Sequence, residues 1–251
     1  MDPDPKAVIA AAALAPALVA GILVARAVRG PGRSWVDPGI AFAWGAAVTA
    51  IATAGNELGR AGLAALCGAD RAGSLVPVLV GPPVEEIAKA TGFAAVALAT
   101  RGRRRDVHDA LAYGALLGLG FAASENVGYY TVAAVQAGWP GLARAVYFRG
   151  LVESGLHATF TAVVGLGVAW AHASGRRVRP IATALVAAVL LHASWNAIAL
   201  ELGDRLCNAP APGAACTAPD PRDLLVTMPA LLTAFVAPVV AVLATLARRV
   251  A

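Results

Sequence analysis

Charge is what this chain has least of: charged side chains make up 14% of its 251 residues, where a soluble domain carries about a quarter. Aromatic residues amount to 6%, and there are only 3 cysteines. So little charge excludes a surface wetted all round. Nor is there a stretch of alternating polar and apolar residues that would read as a half-buried strand. The net charge of +5 does not point to nucleic acid, because the basic residues sit in short clusters between apolar runs and form no phosphate-binding face.

What is abundant is apolar. Hydrophobic residues reach 59% and the mean hydropathy is +0.69. About 20 apolar residues cross a bilayer as a helix, and backbone groups in lipid must be satisfied within the segment. The expected fold is therefore all-α, a polytopic bundle with about seven spans over residues 7–25, 39–55, 74–100, 110–135, 150–171, 180–200 and 224–247. We find no soluble domain, linker or internal repeat, so residues 1–251 read as a single integral membrane domain, with an active core in 74–200.

Arginines mark alternate connections: Arg26, Arg29 and Arg33, then Arg101, Arg103, Arg104 and Arg105, then Arg176, Arg177 and Arg179, then Arg248 and Arg249. The positive-inside rule places these connections in the cytoplasm, the N-terminus outside and the C-terminus inside, in the cell membrane. Arg144 and Arg149 fit this least well, being assigned to an outer connection. Trp35, Trp139, Tyr147 and Trp170 lie near span ends, as an aromatic belt requires. The first span follows Met1-Asp2-Pro3-Asp4 and precedes arginines, so it reads as a retained anchor. Cys207 and Cys216 fall in an outer connection, where a disulfide and two unpaired thiols are equally compatible with the sequence.

The ionisable residues inside the spans are confined to spans three to six: Glu85, Glu86, Lys89, Glu125, Glu153, His157 and His192. One charged group at mid-helix costs about 2.5–3.5 kcal/mol on insertion, so these residues are expected to serve one another inside the bundle. At about 1.5 Å per residue, Glu85 lies ~16 Å, Glu125 ~15 Å, His192 ~12 Å and His157 ~10 Å from the outer end of its span. They share a level in the outer half of the bilayer.

Pairs one helical turn apart support common faces: Glu85 with Lys89, Glu125 with Tyr129, His157 with Thr161 and His192 with Asn196. Glu153, one turn before His157, could orient that imidazole, while its place near a span end reads more readily as a solvated residue at the mouth of the site. Adjacent Glu85 and Glu86 point about 100° apart and divide their roles, one at the site and one toward Lys89 or a neighbouring helix.

Two histidines and a carboxylate on separate helices, with another carboxylate free, suit a hydrolytic zinc site in which a glutamate acts as general base. On this reading Glu85 and Glu86 supply the base and its support. His157, His192 and Glu125 hold metal, and Lys89 and Asn196 orient their neighbours. A metal-free alternative has a desolvated glutamate activate water while the histidines stabilise the oxyanion. Intramembrane carboxylates and histidines also mark proton- or ion-coupled transporters, although the paired repeats of broken helices typical of those are not found. A noncatalytic scaffold is a third reading, and it requires the buried polar residues to be replaceable by apolar ones.

Val84-Glu85-Glu86-Ile87-Ala88-Lys89 resembles the E-E-x-x-K motif of the PrsW family of intramembrane proteases. Phe121-Ala122-Ala123-Ser124-Glu125-Asn126 resembles that family's F-x-x-x-E-N core, and His157 with Thr161 and His192 with Asn196 resemble its later histidine motifs. The family is similar to the larger group of CAAX-prenyl and bacteriocin-processing membrane proteases, whose second motif usually ends in His where this chain has Glu125. That leaves Glu125 as ligand or base. The resemblance implies cleavage of a membrane-anchored protein near the outer surface, an anti-sigma factor for example. It also implies that Phe121 and Asn126 belong to the site.

Overall fold

The structure, a computed structural model, describes residues 4–28, 35–99, 106–176, 178–206 and 222–250. Cys207 and Cys216, with the arginines at 29, 33, 101, 103, 104, 105 and 177, lie outside the described residues. Among the described residues every regular element is helical: α1 (Pro5–Val28), α2 (Val36–Cys67), α3 (Ala69–Leu75), α4 (Gly81–Ala99), α5 (Val107–Ala145), α6 (Ser154–Ser174), α7 (Val178–Leu206) and α8 (Met228–Val250). Short π-helical turns precede α4 (Val76–Val80), α6 (Val146–Glu153) and α8 (Asp223–Thr227). The expected all-α membrane bundle is the fold observed.

Among the described residues, five helical stretches are long and apolar enough to cross a membrane, one of them, 107–174, running through both α5 and α6. Helix α4 is not among them, since Glu85, Glu86 and Lys89 interrupt its apolar run. Large apolar side chains such as Leu23, Ile51, Leu98 and Leu190 project outward, as a lipid-facing surface requires. Trp35, Trp139 and Trp170, near helix ends, are about half exposed.

One span and one connection differ from the sequence reading. Helix α2 continues past Gly55 to Cys67, which brings Asn56, Glu57 and Arg60 onto a helix that also packs against α4. The connection that carries Arg144 and Arg149 is itself helical. The chain reverses at Ala137 and Gly138, where Gly138 has φ +61°, a conformation that glycine adopts without a Cβ penalty. From there Trp139 onward runs back along α5, and the π-helical turn 146–153 leads directly into α6.

The antiparallel pair α5/α6 is the most closely packed part of the bundle. A Cβ on Gly118 would strike the His157 carbonyl, and one on Gly165 would strike the Ala110 carbonyl, so at both places backbone lies against backbone. Small residues permit such close approach between membrane helices. Apolar clusters flank this seam: Leu156, Phe160, Val164 and Trp195 where α6 meets α7, and Ala41, Val96, Tyr113 and Leu117 where α2, α4 and α5 meet. The polar residues of α4, α5, α6 and α7 are left to meet between them.

Candidate active site

Helix α4 begins at Gly81-Pro82-Pro83, directly after a π-helical turn. Prolines leave carbonyls of the preceding turn without an intrahelical donor. One of these, the Pro77 carbonyl, accepts a hydrogen bond from Asn196 Nδ2 at 2.8 Å, which ties α7 to the start of α4. Asn196 is thus bonded to backbone ahead of α4 and not to His192.

Glu85 and Glu86 do point apart. Glu86 is fully buried, and its carboxylate takes Lys89 Nζ at 2.6 Å and His192 Nδ1 at 3.0 Å on Oε1, with Thr161 Oγ1 at 3.2 Å on Oε2. Lys89, also fully buried, reaches on to His157 Nδ1 at 3.1 Å and lies 4.4 Å from the Phe121 ring centroid. This ion pair is compensated by further polar contacts on both partners, without which a buried pair in lipid would be costly. An ammonium only donates, so His157 Nδ1 accepts and the ring proton sits on Nε2. That nitrogen lies 3.3 Å from Glu125 Oε2.

Glu85 turns the other way, into a cavity. Its Oε1 accepts from Asn56 Nδ2 at 3.2 Å, while its Oε2 is buried with no hydrogen-bond partner and lies 3.8 Å from His192 Nε2. The two imidazoles meet edge to face with centroids 5.0 Å apart, and Phe160 stacks on His192 with centroids 5.2 Å apart. The cavity has a volume of about 460 Å³, and Glu85, Glu125, His157 and His192 line it together. Its wall reaches outside residues 74–200, to Thr49, Thr53 and Asn56 of α2. Glu86 and Lys89 are not part of the lining and lie behind it.

One ligand atom each from Glu85, His157 and His192 lies within 4.8 Å of the others. The donor set is that of a hydrolytic metal site, with three protein ligands and room beside them. Two further features fit a metal. The unpartnered Glu85 Oε2 is a buried acceptor in need of a cation, and the Glu86 carboxylate behind His192 Nδ1 is the support that metal-binding histidines commonly have. Ligation through His157 Nε2 puts the ring proton on Nδ1, so Lys89 Nζ must then release its hydrogen bond to that nitrogen.

Glu125 is also held by Arg149, whose guanidinium lies 2.5 Å from the same Oε2 and 2.6 Å from Glu153 Oε2 and stacks 3.5 Å over the Tyr129 ring centroid. Glu153 thus pairs with Arg149 and not with His157, because the π-helical turn carries both residues round toward Glu125. Asn126 fixes that turn. Its Nδ2 donates to the Arg149 carbonyl and to Ser154 Oγ, both at 3.3 Å. Phe121 packs against the His157 ring with centroids 5.6 Å apart.

Of the residues expected at the site, Glu85, Glu125, Glu153, His157, His192 and Asn196 line the cavity, while Glu86, Lys89, Phe121 and Asn126 do not; the three-residue group that could hold a metal contains Glu85 where the sequence reading had Glu125, and Asn56 and Arg149 are polar partners that reading lacked. A family model described as PrsW family intramembrane metalloprotease matches residues 38–215 of the chain. Comparison with curated proteins and with solved structures returns no match.

Proposed function

The chain belongs to the PrsW family of intramembrane metalloproteases, and from that premise we propose that it cuts a membrane-anchored protein near the outer face of the cell membrane, using zinc held by Glu85, His157 and His192. Single-span regulators such as anti-sigma factors are the substrate class. The N-terminus lies outside and the C-terminus in the cytoplasm. The observation that carries the zinc reading is the buried, unpartnered Glu85 Oε2 facing His192 Nε2 in a cavity that His157 also lines.

Bound by these three residues, zinc would supply Lewis acidity toward a carbonyl and acidify water to a pKa of about 7. The rest of the work belongs to side chains. Glu125, at the cavity wall and fixed by Arg149, takes the proton of the attacking water and returns it to the leaving amine. This base is Glu125, not Glu86, because Glu86 is closed off from the cavity and already carries Lys89, His192 and Thr161. Glu86 and Lys89 set the ring orientations of His192 and His157 instead. The apolar faces of Phe160 and Leu156 line the same cavity and limit how much water enters.

The test is metal content and cleavage measured on the same purified preparations. The wild type should hold one zinc and cut a co-reconstituted single-span substrate. Glu85→Gln and His192→Ala should lose both properties while still inserting into the membrane. Proteolysis retained by the double variant would overturn the assignment.

A further inference from the structure

Trp195 and Asn56 present polar atoms that nothing in the protein occupies. Trp195 is 2% exposed, and its Nε1 is buried with no hydrogen-bond partner. Its ring packs at an angle against Phe235, with centroids 5.5 Å apart. On α7 it sits between His192 and Asn196, both anchored by the hydrogen bonds already described. Asn56, on α2, gives its Nδ2 to Glu85, which commits its Oδ1 to another direction, where that oxygen too is buried without a partner. Buried unpaired polar atoms destabilise a fold and are uncommon in native proteins, so each calls for a physical reason. Here one is a donor and the other an acceptor, and both residues line the cavity that contains Glu85, His157 and His192.

A peptide that crosses lipid as a helix satisfies its own N–H and C=O groups. To be hydrolysed, one of its peptide bonds must leave the helix, which frees carbonyls and N–H groups where there is no bulk water to receive them. An orphan donor and an orphan acceptor on two residues of the cavity wall are the complement of such a segment, once its entry displaces the side chains that shield both atoms. We infer that Trp195 and Asn56 form a main-chain clamp, in which the indole N–H donates to a carbonyl of the unwound substrate and the Asn56 amide oxygen accepts one of its N–H groups. Both contacts go to the backbone, so the clamp selects for a segment that has left the helix and is indifferent to its side chains. This extends the protease reading of the same cavity and rests on it.

The test uses the full chain in liposomes with its metal chelated, so that binding is read without turnover. Two labelled single-span Leu/Ala peptides serve as probes, one a continuous helix and one interrupted by Pro-Gly near its outer end. Energy transfer to the labelled protein should show tighter binding of the interrupted peptide. Trp195→Phe, which keeps the ring and removes the N–H, should weaken that preference about fivefold. Replacing single amides in the interruption by esters should weaken binding to the wild type at one position, and Asn56→Ala should abolish that difference. An unchanged preference in Trp195→Phe, or none in the wild type, would mean that water alone satisfies the two atoms and would overturn the clamp. If the preference is present but the peptide stays uncut after zinc is restored, the protease reading fails while the clamp stands.

Discussion

Glu86 and His192 are 106 residues apart in the chain, yet Glu86 Oε1 and His192 Nδ1 lie 3.0 Å apart in a place closed to the cavity. One carboxylate thus fixes a histidine of α7 from α4 and at the same time neutralises Lys89. Support of this kind governs how well a histidine holds metal.

Glu86→Gln should therefore lower zinc affinity by about 10–100-fold, as loss of an outer partner does, and leave Lys89 as an unpaired buried charge that destabilises the fold. Adding Lys89→Met should restore thermal stability in detergent without restoring zinc affinity. Recovery of both together would show that Glu86 acts through Lys89 alone.

Arg149 is expected to matter for rate and not for metal content. Arg149→Met leaves Glu125 and Glu153 without their shared cation, and kcat should fall about tenfold or more through misplacement of Glu125. Arg149→Lys should recover only part of this, since an ammonium cannot bridge two carboxylates in a fork and stack on Tyr129. Zinc stoichiometry should be the same in all three proteins. A drop in zinc would place Glu125 among the ligands.

Gly118 faces the His157 carbonyl, and backbone cannot yield as a flexible side chain can. Gly118→Ala should separate α5 from α6, cost about 1–3 kcal/mol in stability and reduce cleavage by shifting His157 away from Glu125. Thermal unfolding in detergent and cleavage rate should fall together. A variant with normal values of both would refute the close packing described for this seam.

Asn196→Ala removes the donor to the Pro77 carbonyl, a part-buried bond worth about 1–3 kcal/mol when one partner is left unpaired. Stability should drop by that order while zinc binding persists, because His192 keeps its contact with Glu86. Loss of zinc at unchanged stability would contradict the role given to Asn196.

Much of this site was legible from cost alone. Glu85, Glu86, Lys89, Glu125, His157 and His192 are expensive in lipid, which is why the sequence leads one to expect them to meet inside the bundle. Asn56 escaped because an uncharged amide carries little of that cost and because α2 was expected to end at Gly55, one residue short of it. Arg149 escaped for the opposite reason. An arginine near a span end reads as a topology marker, and a sequence does not show that a π-helical turn will rotate it inward onto Glu125 and Glu153. The same turn places Glu153 against Arg149 on the cavity wall and not at His157, because α-helical periodicity does not hold across it.

The glycine seam between α5 and α6 also bears on how a polypeptide gets in. Carbonyls that occupy the space of absent side chains leave no slack for the two helices to part and close again, so this side of the barrel of helices acts as a fixed rib. Glu57 and Arg60 of α2 border the cavity together with Val76 and Pro77 ahead of α4, so a shift of the segment before α4 would widen the cavity on that flank.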